Sequence, residues 1–404
     1  VKALANPYDG ALFHERSPWY WANNISVPTM LVESWQDEQV GSRATELTER
    51  FADGLPWRML ATNGDHGEYY GSHVLPYIDE FLSFYLAREI PARFQGGTVT
   101  EFDPPGNAKG NPSGPANGKG PQTTRAETFE EALARYQAED KAQINFETGA
   151  GGGRTPAWIA TYADWPAPET KAWRLNLSAD GKLTEADAAP GTVAYNYAPV
   201  VGTQQRGGYK LVGQLPDQTK ASWTETPAEG TYALFETTPF DSDKVLAGPA
   251  SVDLVVSSTA ADTDFQVTVT EVRPDGQEMF VQQGWLRASH RALDESQSTA
   301  LRPYQTHLLE DSLPLIPGQP TPVRIEVFPF AHAFRKGSAL RIYVEAPHVK
   351  PDLWGFAALP TPARNTIYTG PGLSSVALPL LEGETAQAPL PPCQIRNQPC
   401  RPTF

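Results

Sequence analysis

The chain has 404 residues, 40% of them apolar and 20% charged, a composition that suits folded globular domains and a length that allows more than one core. Its 32 basic and 47 acidic residues leave a formal charge of −15, which argues against nucleic acid or an anionic membrane surface as a partner, because phosphates need Lys and Arg. No run of 18 apolar residues occurs, so no ordinary transmembrane helix is expected, and 38 prolines with 33 glycines point to many turns between short strands.

Residues 1–95 read as α/β. The opening Val1-Lys2-Ala3-Leu4-Ala5-Asn6-Pro7 lacks a charged region followed by an apolar core, so no signal peptide is expected there. Val27 to Glu33 is a short apolar run suited to a buried strand, and Pro56 to Thr62 reads as a second. Between them, Ser42 to Phe51 predicts a helix with Ala44, Leu47 and Phe51 on one face, stopped by Gly54. Leu75, Ile78, Phe81, Leu82, Tyr85 and Leu86 predict an amphipathic helix that ends before Pro91. Strand, helix, strand, helix is the alternation of a parallel sheet.

Residues 96–144 change character. Gly96-Gly97, Pro104-Pro105-Gly106 and Gly110 to Pro115 read as a linker or irregular segment. A short helix is expected from about Thr128 to Gln137, opened by a capping-box pattern in Thr128-Phe129-Glu130-Glu131. From 145 to 385 the signals are those of an all-β domain. Trp158–Tyr162, Ala172–Leu177, Ser251–Val256 and Phe265–Thr270 read as strands, with Asp180-Gly181 and Pro274-Asp275-Gly276 as turns. Val323–Val327 and Leu340–Val344 alternate as half-buried strands do, and a jelly-roll sandwich is the natural reading. The Pro-rich tail 386–404 carries the two cysteines, Cys393 and Cys400, six residues apart and suited to a small disulfide loop. Such bonds persist in oxidising compartments, which points to a secreted or periplasmic protein.

Asp37 lies just beyond the first predicted strand and His66 just beyond the second, in Asn63-Gly64-Asp65-His66-Gly67. In open α/β sheets functional groups gather beyond the carboxyl ends of strands. An acid after one strand and a histidine after the next is the order that completes a Ser–Asp–His triad. Spacing alone leaves a surface salt bridge open, and leaves Glu33, Glu38 and Asp65 as rival acids and His73 as a rival base. His73 falls near the start of the following helix, where a structural role is ordinary.

The segment Val27 to Asp37 and the Asn63–Gly67 loop resemble the cocaine esterase and X-prolyl dipeptidyl-peptidase family of serine hydrolases, as does Phe13-His14-Glu15-Arg16-Ser17-Pro18 upstream. In the β region Thr238-Pro239-Phe240, Leu246–Pro249, Asp262–Phe265, Gly284-Trp285-Leu286-Arg287-Ala288-Ser289-His290-Arg291 and Phe334–Ser338 are similar to that family's C-terminal jelly roll. The resemblance covers nearly the whole chain apart from the extreme tail. It implies an α/β-hydrolase fragment, the last strands and helices of its sheet, followed by an all-β jelly-roll sandwich. It also implies Asp37 as triad acid and His66 as triad base. The substrates implied are acyl esters, α-amino acid esters, β-lactam side-chain amides or X-Pro peptides, with no metal or organic cofactor.

One part of the family pattern is missing. Gly-x-Ser-x-Gly, the nucleophile elbow, occurs nowhere in the sequence. Ser374 has Gly372 before it but Val376 after it, and Ser113 sits between Gly110 and Gly114 at the wrong offsets. The expectation is a chain that begins partway through a hydrolase domain. Three accounts stand side by side: one part of a processed precursor docked to an N-terminal fragment, an incompletely recorded sequence, or a remnant that kept the sandwich and lost catalysis. His290 and His332 read as structural, His14, His307 and His348 have no partner pattern, and no zinc-ligand spacing occurs. The alternative reading is a non-catalytic jelly-roll protein binding a glycan or protein partner, with Trp165, Trp173, Trp223, Trp285 and Trp354 as platform candidates.

Overall fold

Short apolar runs bounded by turn residues build every sheet of this protein. The computed structural model describes residues 5–37, 40–95, 128–150, 152–186, 188–198, 228–347, 358–393 and 395–404. The predicted linker 96–126, together with Glu38, Ser113, Trp223, His348 and Trp354, lies outside the described residues. Two units result: Pro18–Glu169 with Gln387–Arg396, and Val1–Ser17 with Thr170–Ala386 and Asn397–Phe404.

The first unit is built on strands β1 (Thr29–Ser34), β2 (Trp57–Thr62), β3 (Ala142–Phe146) and β4 (Trp158–Tyr162), in that spatial order. β1 and β2 run parallel with Ser34 level with Thr62, and β3 runs parallel to β2. β4 pairs antiparallel with β3, so Trp158–Tyr162 closes this sheet and does not belong to the sandwich expected from residue 145. The reason is local. Phe146 and Trp158 are opposite each other in the ladder and stack with ring centroids 4.6 Å apart, which fixes the β3–β4 hairpin. The unit that holds this sheet reaches Glu169, past the boundary expected at residue 95.

The helical segments differ from expectation in detail. Arg43–Arg50 is a 3₁₀ helix, and it buries Thr45, Glu46 and Thr48, with Ser42 just before it, rather than Ala44, Leu47 and Phe51. Residues three apart eclipse in a 3₁₀ helix. Each threonine hydroxyl donates to the carbonyl three residues earlier, Thr45 to Ser42 and Thr48 to Thr45, both at 3.0 Å. This polar face is thereby self-satisfied and can be buried. The helix Leu75–Leu82 continues as a π turn over Ser83–Ala87 and stops at Arg88, whose φ is 59°. Its inward face is centred on Phe81 and Phe84, while Leu75, Leu82 and Leu86 are exposed. Phe84 stacks on Tyr136 and packs edge-on to Phe94, and rings of that size claim the core ahead of leucines. Tyr136 comes from the helix Phe129–Gln137, which carries the predicted capping box: the Glu131 amide donates to Thr128 Oγ1, and the Thr128 amide donates to Glu131.

The second unit contains β5 (Thr170–Leu177), β6 (Leu183–Thr184), β7 (Gly191–Tyr197), β8 (Tyr232–Glu236), β9 (Lys244–Ser258), β10 (Asp264–Val272), β11 (Gln277–Arg287), β12 (Thr321–Phe334), β13 (Ala339–Glu345), β14 (Ala363–Thr369), β15 (Ser375–Leu381) and β16 (Cys400–Pro402). One sheet has the order β16-β11-β10-β13-β8. The other runs β6-β5-β15-β9-β14-β7, with β12 on the second edge of β9. All their ladders are antiparallel. Val252, Leu254 and Val256 of β9 share one buried cluster with Val267 and Val269 of β10 and with Leu340, Ile342 and Val344 of β13. That spacing of two is the period at which a strand returns to the same face. At Gly284 a Cβ would overlap the Glu326 carbonyl oxygen, so only glycine permits β11 to lie this close to β12.

β13 is buried on both faces, not half-buried as its alternation suggested. Its polar face is covered from the tail. Arg401 of β16 donates to Glu278 at 3.0 Å and to the Tyr343 hydroxyl at 3.0 Å, and Arg341 reaches Glu278 at 3.2 Å. A buried carboxylate shared by two guanidiniums is the pairing that makes such a charged layer tolerable.

Candidate active site

Parallel register places the candidate residues. Because Ser34 and Thr62 are level, the chain leaves β1 and β2 at the same height, and their loops start side by side. The Trp35 amide extends the ladder by donating to Thr62 O at 2.9 Å, and the Gly64 amide donates to Gln36 Oε1 at 3.3 Å. Asp37 follows in the first loop and His66 in the second.

His66 Nδ1 lies 2.8 Å from Asp37 Oδ2, and the Val40 amide donates to Asp37 Oδ1 at 3.0 Å. The Asp37 side chain is 6% exposed and that of His66 35%, so the acid is enclosed while the imidazole reaches the surface. A carboxylate can only accept, so Nδ1 carries the proton and Nε2 is the basic nitrogen of the neutral ring. The Tyr69 ring stands edge-on to His66 at 5.8 Å. This is the geometry in which a carboxylate fixes a tautomer and stabilises the imidazolium that forms on proton uptake.

The rivals are placed elsewhere. Glu33 is buried on β1 and accepts the Ser34 amide at 2.9 Å; burial, helped by the Asp37 charge, raises its carboxyl well above the ordinary range. Asp65 accepts the Gly67 amide at 2.9 Å and turns the loop. His73 is enclosed 3.6 Å from Glu68, and burial, followed by the Arg154 and Arg396 charges, lowers it to about 4.

The remaining described histidines lie in the second unit. His332 is buried against Glu271 at 3.0 Å. His290 Nδ1 is 3.2 Å from His307 Nδ1 and its ring stacks on Tyr8, while His14 meets Asp9 at 3.1 Å. The Trp285–Arg291 segment is held by Arg287 on Asp264 at 2.8 Å and by the Ser289 amide on Asp262 at 2.9 Å. The described tryptophans do not assemble a platform: Trp165 is buried, Trp173 lies under Lys244 and against Phe240, and Trp285 donates to Gln266 at 2.9 Å. Cys393 and Cys400 are both disulfide-bonded. Among the described residues no three His, Cys, Asp or Glu side chains gather as a metal site, and no helix is long and apolar enough to cross a membrane.

Around the same loop the structure gathers residues of which sequence reasoning named only His73, as a rival base. Glu68, His73 and Arg396 surround the turn that carries His66, and Thr148 joins Thr62 through hydroxyls 2.7 Å apart. The usable signal was Ala142–Phe146. Read as a third parallel strand, it would have put Thr148 and the glycines after it on the same side as Asp37 and His66.

The sequence profile of the X-Pro dipeptidyl-peptidase C-terminal non-catalytic domain matches residues 130–355. The chain belongs to this family. The matched range of the X-Pro dipeptidyl-peptidase C-terminal domain excludes Asp37, His66 and Arg396. Two candidate serine esterases, of Mycobacterium bovis and Mycobacterium tuberculosis, are each 28% identical over 201 residues, covering 48% of this chain and 31% of theirs. The chain thus matches about a third of the length of these curated relatives. In fold it is similar to a CocE/NonD family hydrolase from Staphylococcus aureus, with TM-score 0.65 and 18% identity over 94% of this chain and 58% of that one. An aminopeptidase from a marine sediment Thaumarchaeota archaeon gives TM-score 0.61 and 15% identity, over 94% and 60%.

Proposed function

We propose that the first unit is the closing part of an α/β-hydrolase sheet, that the second is a jelly roll, and that Asp37 and His66 are the acid and base of a serine-hydrolase triad. The observation that carries this reading is the 2.8 Å contact between an enclosed carboxylate and a surface-reaching imidazole at the ends of adjacent parallel strands. The nucleophilic serine comes from outside these 404 residues, because no Gly-x-Ser-x-Gly occurs within them.

In the reaction, His66 Nε2 takes the serine hydroxyl proton as the serine oxygen bonds to the substrate carbonyl carbon. His66 then passes that proton to the departing alcohol or amine, leaving an acyl-enzyme. Water, deprotonated by the same nitrogen, releases the acid and restores the serine. Asp37 holds the ring through Nδ1 in every step. The substrate is an ester or amide: an acyl ester, an α-amino acid ester, a β-lactam side-chain amide or an X-Pro peptide. Disulfide-bonded Cys393 and Cys400 support a secreted or periplasmic location.

The non-catalytic description of the matched profile favours a second reading, a jelly-roll binding protein derived from a hydrolase. One experiment separates the two. The protein is isolated with whatever polypeptide accompanies it and treated with a fluorophosphonate probe, alongside His66→Ala. Labelling of a companion serine that is lost in the variant supports the hydrolase; absence of labelling at every serine supports the binding protein.

A further inference from the structure

The tail residue Arg396 meets the loop that carries the proposed base. Its guanidinium contacts the Glu68 carboxylate through both Nε and Nη2, and Nη2 lies 3.5 Å from Asp65 Oδ2. Glu68 and Asp65 flank His66 in sequence, two residues after it and one before. The Glu68 side chain is fully buried, whereas that of Asp65 is 38% exposed. The Arg396 amide also donates to Thr148 O at 3.1 Å, beyond the end of β3.

Two glycines make room for this contact. A Cβ at Gly64 (φ 143°) would overlap Glu68 Cγ, and a Cβ at Gly149 (φ 84°) would overlap Arg396 Cγ. The sequence thus clears space on both sides of the ion pair, where left-handed or mirror-extended φ values also favour glycine.

From this we infer that Arg396 is a positioning residue, which pins the Asp65–Glu68 turn from both sides and so holds His66 against Asp37. The inference rests on the reading of Asp37 and His66 as a catalytic pair. Burial raises the Glu68 carboxyl and Arg396 opposes that rise, so the guanidinium is what keeps a charge there acceptable. Residues 387–396 belong with the first unit, and Arg396 is their last member.

The test uses the 404-residue chain with ¹⁵N-labelled histidine. A hydrogen-bonded His66 Nδ1 proton gives a far-downfield resonance, assigned by its loss in His66→Gln, since His14 and His332 also meet carboxylates. In wild type the line is present; if it is absent, the Asp37–His66 reading itself fails. In Arg396→Gln the line is lost. Glu68→Gln/Arg396→Gln removes the buried charge that the single variant strands, so it keeps circular dichroism and thermal unfolding near wild type, and the line stays lost. A line that persists in a folded Arg396→Gln overturns the inference. So does a line that returns in the double variant, which would make Arg396 a mere neutraliser of Glu68.

Discussion

Two of the protein's histidine–carboxylate pairs have nearly the same length but opposite surroundings. Asp37 and His66 meet at 2.8 Å with the imidazole 35% exposed. Glu271 and His332 meet at 3.0 Å with both side chains no more than 2% exposed. In the sandwich, both imidazole nitrogens face buried partners, Glu271 at Nε2 and Gln398 at Nδ1 (3.4 Å), and Ser338 donates to the other Glu271 oxygen at 2.6 Å. Such a pair has no route to a substrate and acts as a fixed polar strut. At the strand ends, the carboxylate is enclosed and the ring is not. Distance does not distinguish the proposed base from a strut; access does.

The sharpest way to break this comparison is to remove each histidine. His66→Ala should lower ester or amide turnover by about 10⁴- to 10⁶-fold in the assembled hydrolase, and Asp37→Asn by about 10⁴-fold, with denaturant midpoints little changed. His332→Ala should do the reverse: turnover per folded molecule stays near wild type, while chemical denaturation shows a loss of about 3 kcal/mol, because Glu271 is left buried without its partner.

Acidification sharpens the comparison further. Burial opposes ionisation of Glu271, but the hydrogen bond and charge of His332, with Ser338, outweigh it and hold the carboxyl below its ordinary value. A lowered folded value means that this stabilisation is present above the unfolded carboxyl range and is lost as pH falls through the folded one. His73, lowered to about 4, adds a loss at higher pH. Its folded form binds fewer protons than the unfolded chain between about 4 and 6.5, so stability falls across that window by at most about 3 kcal/mol. The raised Glu33 and Glu68 carboxyls act in the opposite sense, so the His73 contribution is read as a difference: on acidification from about pH 6.5 to 4, thermal unfolding of wild type should lose stability relative to His73→Gln. Ser338→Ala gives the smallest effect, a loss of about 1 kcal/mol in denaturant unfolding with turnover unchanged.

Much of the candidate site was legible in the sequence because strand ends are. Val27–Glu33 and Pro56–Thr62 announce adjacent strands, of which the second is buried and the first only at Glu33 and Ser34, and Asp37 and His66 are the acid and the histidine that follow them. Local turn chemistry was equally readable: Pro274-Asp275-Gly276 joins β10 to β11, and Thr128 with Glu131 caps its helix. Arg43–Arg50 was misread because its threonines bury their own hydroxyls through backbone bonds, which no count of apolar residues anticipates. Trp158–Tyr162 was assigned to the wrong sheet because a strand's composition does not say which neighbour it pairs with.

By itself, then, the sequence determined the alternation of elements, the all-strand character of the second unit and the two residues at the ends of adjacent strands, since these follow from periodicity and turn chemistry within a few residues. Only the tertiary structure decided that β3 and β4 complete the first sheet, that the tail covers β13, and that Arg396 returns to Glu68. Those are contacts between residues up to 328 positions apart. They are selected by which buried charge or ring finds a partner in the folded chain, and local propensity carries no record of that choice.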